Sequence, residues 1–304
     1  MENYSFDEIV AAWEQYKRPF VKLSTFTLYQ ILIGKHLLPF FTEKRGITQN
    51  NVQTFVIEKT GQGLSEKTVR DMVTLLKGIL RFGYEKEMCR LPAWDVRYPV
   101  SGACDGMKVL STDGLRRLAR YLRENFSWKN LGILIAINTG MRIGEVCGLQ
   151  WQDIDREKGV FRVSKTVERI WVDGKSSVII NTPKTKSSRR EVPVSHSLMN
   201  QLRPFLRVMN PEHYIVSCAP SPCEPRILRN HFKRVMSELG MDSVRFHGLR
   251  HSFATKLIET GCDTKSVSVI LGHSSVTTTM NLYVHPTQEQ KRKGIDKMVK
   301  TLKI

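Results

Sequence analysis

The chain is 304 residues long, 41% hydrophobic and 25% charged, a size that allows two domains, or one large one, with ample core. Its 47 Lys+Arg against 29 Asp+Glu give a formal net charge of +18, which points to a polyanionic partner, either nucleic acid or an acidic membrane surface. No run approaches the roughly 18 apolar residues of a membrane span. The start, MENYSFDEIV, lacks the basic-then-apolar pattern of a signal peptide, so a cytoplasmic protein facing nucleic acid and no membrane is expected.

The charge is uneven. Residues 1–100 hold 14 Lys+Arg and 11 Asp+Glu, leaving 33 and 18 for residues 101–304, so the later part should face most of the polyanion. The six cysteines (Cys89, Cys104, Cys147, Cys218, Cys223, Cys262) are scattered without a CxxC pair, which argues against a zinc site. Cys218 and Cys223 are near enough for a local disulfide, but reduced thiols fit a cytoplasmic protein better.

In chain order, SFDEIVAAWEQYKR opens with Ser5 as an N-cap and Glu8 three residues on, a capping-box pattern. Residues 24–44 read as a helix interrupted near Pro39, and Thr48 caps the next helical stretch. After Ser65, apolar residues at Val69, Met72, Val73, Leu76, Ile79, Leu80 and Phe82 follow helical spacing with one buried stripe. Residues 5–90 therefore read as a bundle of four helices. Residues 91–110 carry two Pro, two Gly and no period, the mark of a linker. Ser111 then caps a helix, and LGILIAINTG reads as a buried helix ending at Gly140. Residues 159–194 switch to β-branched, alternating segments, which predicts a small antiparallel sheet of about three strands with the basic turn PKTKSSR before the last. Helical patterns resume at 196–208, 225–239, 249–260, 264–271 and 275–283, followed by a basic, amphipathic tail. The expected fold class is mainly α with a small antiparallel β-sheet, in two domains: a helical bundle over 1–98, a linker over 99–110, a mixed domain over 111–287 and a tail helix over 288–304.

The chemistry concentrates in FHGLRHSFATKLIETGCDTKSVSVILGHSSVTTTMNLYVHP. It holds His247, Arg250, His273 and Tyr283: fixed positive charge, two imidazoles and a phenol, with no carboxylate pair and no set of metal ligands. A phosphate group suits such a cluster. His247 and Arg250, three apart at a helix start, can face one site. Arg142 follows the Gly140 turn, and Glu145 can fix its guanidinium. Taken singly, each pattern is more often structural: a core histidine, an intrahelical ion pair, a half-buried tyrosine. Lys184, with Lys186, Arg189 and Arg190 nearby, forms a basic turn suited to phosphate contacts, and an ammonium there can protonate a leaving alkoxide. TKSVSVILGHSSVTTTMNLY also reads as a helix–turn–helix, which a non-enzymatic DNA-binding protein could use alone.

Together these residues resemble the tyrosine recombinase (phage integrase) family. TGMRIGEVCGLQW around Arg142, the basic hairpin with Lys184, HGLRHSFAT, and LGHSSVTTTMNLY occur in the family's order. The resemblance covers about residues 111–287; residues 5–98 match a helical core-binding domain in size, pattern and position. PKTKSSRREVPV and TTTMNLYVHP look most like integrases of conjugative and phage-like mobile elements, and the resemblance is to members lacking an N-terminal arm-binding domain. The resemblance implies a site-specific recombinase whose two domains form a DNA clamp. Tyr283 attacks a phosphodiester to give a 3′-phosphotyrosyl link, and Arg142, Arg250 and His273 stabilise the transition state. His247 serves as base, Lys184 as general acid and Glu145 as support, with Lys186, Arg189 and Arg190 on DNA. It implies no metal and no cofactor. The partners are duplex DNA at a specific site, a homotetramer on DNA and accessory DNA-bending or directionality proteins. Forty-two positions separate Arg142 from Lys184, so the hairpin is extended, and Lys184 and Lys186 remain alternatives for the acid. His251, beside Arg250, is expected to face away as a helix-packing residue. A Xer-like resolvase and a type IB topoisomerase share this chemistry.

Overall fold

The computed structural model describes residues 4–44, 46–90, 93–99, 108–172, 175–181, 189–273, 275–283 and 288–302. The chain divides into two compact units, residues 1–105 with 170–177, and residues 106–169 with 178–304.

In the first unit, helix α1 (Phe6–Lys17) starts as its sequence dictates. The Glu8 N–H donates to Ser5 Oγ, and the Ser5 N–H donates to the Glu8 carboxylate at 2.7 Å. Helix α2 (Leu23–Leu32) runs through a π turn (Ile33–Leu37) into α3 (Leu38–Phe41). The interruption falls just before Pro39. The Leu38 N–H reaches back five residues to the Ile33 carbonyl, and Pro39, which has no N–H to give, sits in the first turn of α3. Helices α4 (Gln49–Gly61) and α5 (Glu66–Glu85) are capped by Thr48 and Ser65. The apolar stripe of α5 is buried, joining Leu37, Phe41, Val52 and Phe55 in one core. At Gly83 a Cβ would lie 2.9 Å from the Ile9 side chain, so the glycine lets α1 pack closely on α5. Residues beyond α5 lie against this bundle: Gln53 donates to the Arg97 carbonyl and accepts from the Arg97 N–H, and the Arg70 guanidinium stacks 3.8 Å from the Tyr98 ring.

The rest of the chain supplies α6 (Thr112–Glu124), α7 (Trp128–Thr139) and α8 (Ile143–Cys147). Strands β1 (Ile154–Asp155), β2 (Val160–Val163), β3 (Thr166–Val172), β4 (Lys175–Asn181) and β5 (Arg190–Pro193) follow. Then come α9 (His196–Leu202), α10 (Pro225–Glu238), α11 (Phe246–Glu259), α12 (Thr264–Leu271), α13 (Val276–Tyr283) and α14 (Gln288–Leu302). Helix α7, capped by Ser127, is apolar on almost every side because α6, α8, α10 and α11 all pack on it. It ends at Gly140 in the left-handed conformation, φ 63°.

The strands depart from the expected single sheet. β1, β2 and β5 form one antiparallel sheet, with Phe161 opposite Val192 on its buried face, while β3 and β4 form a separate two-stranded sheet. The β-branched stretch over 159–172 breaks at Ser164–Lys165, between β2 and β3. There Asp153 holds the Lys165 ammonium at 3.2 Å, and Ser164 and Lys165 belong to neither strand. Gly144 sets α8 on β3: a Cβ there would lie 2.5 Å from Thr166 Oγ1 and 2.6 Å from the Val167 carbonyl oxygen. The five described cysteines are free, Cys218 and Cys223 included. No helix among the described residues is long and apolar enough to cross a membrane.

Candidate active site

The site is built on the carboxyl end of α12. Any α-helix leaves its last four carbonyls without intrahelical partners and concentrates partial negative charge there. In α12 the Schellman closure accounts for two acceptors: Gly272, left-handed at φ 68°, donates to the Val269 carbonyl, and the His273 N–H donates to that of Ser268 at 3.1 Å. The next three carbonyls each accept from a different arginine. Arg190 Nε donates to Ile270 at 2.6 Å, Arg250 Nη2 to Leu271 at 2.8 Å, and Arg142 Nη2 to Gly272 at 3.3 Å. Arg250 also donates to the Gly140 carbonyl at 3.0 Å, tying the end of α7 to the end of α12.

Glu145, on α8, organises two of the three cations. Its Oε2 accepts from the Arg142 backbone N–H at 2.9 Å, and its Oε1 accepts from Arg142 Nη1 at 3.0 Å. Arg190 adds a bidentate pair, Nη1 to Oε1 and Nη2 to Oε2, both at 3.0 Å. The Glu145 and Arg190 side chains are 3% and 5% exposed, whereas that of Arg142 is 40% exposed and open to a ligand. Burial pushes the Glu145 carboxyl up, but the Arg190 bonds and the charges of Arg190 and Arg142 outweigh it and hold the group below its ordinary value. Three guanidinium groups and one carboxylate leave two positive charges in this cluster.

The imidazoles around it are neutral. His273 Nδ1 is 2.7 Å from Thr279 Oγ1, which fixes the ring, and Thr279 on α13 is fully buried. Burial first, then the arginines, lowers His273 to about 4. His251 is also brought to about 4, by burial, then by His247 and Arg250. The His247 ring is reachable by solvent, yet the protein surrounding it, with Arg250 and Arg142, still lowers its pKa. Arg142, His247 and Arg250 line a cavity of about 650 Å³, together with Arg229, Lys233 and Arg245.

The sign of the pH dependence follows. Between pH 6.5 and about 4 the unfolded chain takes up protons at His251 and His273 that the folded chain refuses. Stability is therefore full above pH 6.5 and is lost as pH falls toward 4, by at most about 3 kcal/mol from His251. Melting temperatures recorded from pH 7.5 to 4.5 should fall steadily; a flat series contradicts this assignment.

The structure thus gathers Arg142, Glu145, His247, Arg250 and His273. Tyr283 is the last residue of α13, about one turn beyond the His273-bound Thr279, and its side chain lies outside the described residues, as do Lys184 and Lys186. Arg189 is exposed. Arg190 corrects an expectation: its guanidinium does not face DNA but is buried on Glu145 and Ile270. His251 also departs from its expected place, since its ring packs edge-on against His247, centroids 4.8 Å apart, inside the cluster. Sequence reasoning passed over Thr279, one Thr in a run of three with nothing local to single it out. Among the described residues, no group of His, Cys, Asp and Glu side chains could hold a metal ion.

Three arginines thus meet the end of α12, beside the imidazoles and ahead of the helix that ends in Tyr283. The model of the phage integrase family matches residues 108–290, and the chain belongs to that family. It is 26% identical over 271 residues to the tyrosine recombinase XerC-like protein of Caldanaerobacter subterraneus subsp. tengcongensis, covering 81% of this chain and 69% of that one. It is 26% identical over 292 residues to the ICEBs1 integrase of Bacillus subtilis, covering 88% and 75%. Its fold is similar to that of the Tn1549 transposon integrase solved in complex with circular intermediate DNA: TM-score 0.80, 19% identity, 97% and 100% of the chains covered. The chain is accordingly an enzyme of site-specific recombination, and its partner is DNA.

Proposed function

We propose that this recombinase integrates and excises a mobile element by cutting and rejoining duplex DNA through Tyr283. The observation that carries the reading is the convergence of Arg142 and Arg250 on the end of α12, next to His273 and immediately before the helix that ends in Tyr283. The scissile phosphate binds in the cationic cavity, where the two arginines and His273 meet its non-bridging oxygens. The two positive charges left after Glu145 is compensated match the charge that a pentacoordinate phosphorus accumulates.

Tyr283 Oη forms the new bond to phosphorus and gives its proton to the neutral His247 imidazole. The bond from phosphorus to the 5′-oxygen breaks, and that oxygen takes a proton from Lys184 or Lys186. The 3′-phosphotyrosyl link keeps the phosphodiester energy, so a 5′-hydroxyl from another strand can reverse the step without ATP. Residues 1–98 serve as the core-binding domain and 111–287 as the catalytic domain. The ICEBs1 and Tn1549 relatives motivate the mobile-element substrate. Exposed Ile295, Met298 and Leu302 on α14 fit a helix that docks on a neighbouring protomer in a DNA-bound tetramer.

The test is a nicked suicide duplex carrying a site that the protein selects from a randomised pool. An SDS-resistant protein–DNA adduct mapped to Tyr283 is expected; a protein that binds this duplex and never becomes attached is a binder only. Thr279→Val gives a finer expectation. It keeps the buried shape but removes the hydrogen bond to His273, so adduct formation should slow about tenfold, with a stability loss of about 1–3 kcal/mol. A wild-type rate would remove Thr279 from the account.

A further inference from the structure

We infer that Arg190 is a positioning residue for Arg142: it is the counter-ion of Glu145, and so leaves the charge of Arg142 uncommitted for phosphate. The inference rests on the proposed strand-transfer reading for its consequence, and on geometry alone for its mechanism.

Arg190 opens β5, and β5 packs on α12. Its three guanidinium nitrogens are all used inside the protein. Nε donates to the Ile270 carbonyl, and Nη1 and Nη2 take both oxygens of Glu145 at 3.0 Å. The side chain is 5% exposed, so it does not reach a bound strand. Arg142 shares the same carboxylate through a single side-chain nitrogen, Nη1, and its side chain remains 40% exposed. The forked, planar pairing belongs to Arg190, and the one-point contact belongs to Arg142. A buried carboxylate must be compensated. With Arg190 present, a buried cation does this, and Arg142 is oriented by Glu145 without being neutralised by it. With Arg190 absent, Arg142 is the remaining cation on Glu145, and the carboxylate competes with the DNA phosphate for the same guanidinium. Arg190 also fixes Ile270, two residues before the Gly272 carbonyl that accepts from Arg142. One side chain therefore sets both anchors of Arg142.

The test separates this role from simple structural support. On the nicked duplex selected by the wild-type protein, Arg190→Gln should slow adduct formation about tenfold or more while DNA affinity stays within about twofold. The double variant Arg190→Gln/Glu145→Gln removes the uncompensated carboxylate along with the cation. It should form adduct at least about threefold faster than Arg190→Gln alone, a rescue that a purely structural arginine cannot give. An Arg190→Gln rate near wild type, or a double variant no faster than the single, overturns the inference. Should Arg190→Gln fail to fold, Arg190→Lys carries the test: it keeps the counter-ion of Glu145 without the fork, and adduct formation within about threefold of wild type is expected. A folded Arg190→Lys protein that is slowed about tenfold or more counts against the inference.

If the wild-type protein itself forms no adduct, the strand-transfer reading fails, and a crystal structure of the stable variant decides the geometric claim. Arg142 shifted onto both oxygens of Glu145 and away from the Gly272 carbonyl supports it. Arg142 in its original place overturns it.

Discussion

Tyr283→Phe protein is expected to bind its selected duplex as tightly as the wild type and to form no covalent adduct. The substitution removes one oxygen and leaves the ring, so the backbone of α13 and its contacts through Thr279 have no reason to change. On the proposed reading, what is lost is the nucleophile that attacks phosphorus and stays attached to it. The phenol is a weak nucleophile at its unperturbed pKa of about 10. It is competent only beside a proton acceptor and a phosphate whose charge is already met. On the proposed reading the neutral His247 is that acceptor and the Arg142–Arg250 pair meets the phosphate charge. Adduct formation should fall by about 10⁴-fold or more, below detection on the suicide duplex. An adduct of undiminished yield in Tyr283→Phe would place the nucleophile elsewhere and remove the mechanism.

Arg250 carries the second large effect, and there stability and catalysis are affected together. Its guanidinium is buried and donates to the Gly140 and Leu271 carbonyls, which belong to the ends of two different helices. Arg250→Ala leaves both acceptors without this donor, at about 1–3 kcal/mol each, and opens a void beneath the site. A clear drop in melting temperature is expected. Arg250→Lys separates the two effects. It keeps the positive charge, so the cavity remains cationic, but one ammonium cannot span two carbonyls and present a planar face to phosphate. Its adduct formation should be about 10²–10³-fold slower, with a smaller loss of stability than in the alanine variant. Single-turnover cleavage alongside thermal melting of both variants checks this. Wild-type cleavage by Arg250→Lys would show that charge alone suffices there.

Local signals carried much of the fold. The caps at Ser5, Thr48, Ser65 and Ser111, the stripe of α5 and the turn at Gly140 are each set by neighbours in sequence, and the structure places them where their patterns put them. The sheet was less legible. Alternation over 159–172 marks strand residues but does not say which partner they pair with, and Lys165 ends one strand through contacts with Gln150 and Asp153. The cations of the candidate site were readable as residue types at a spacing. Their arrangement was not, because it rests on backbone carbonyls, which every residue possesses. Arg190 shows the limit: in sequence it belongs to a basic turn with Arg189, and only the fold reveals that Arg189 is exposed while Arg190 is buried on a carboxylate.

The long reach of these contacts governs when the site can exist during folding. Arg142 meets a carbonyl 130 residues later, Arg250 one 110 residues earlier, and Arg190 one 80 residues later. Such high-separation contacts form late, after the loops they close have been ordered. A chain still emerging from the ribosome and ending before residue 272 contains Arg142, Glu145, Arg190 and Arg250, yet has no complete helix end to arrange them. On the proposed reading, competence to cut DNA is thereby withheld from partly made protein, and arrives with the last part of the fold.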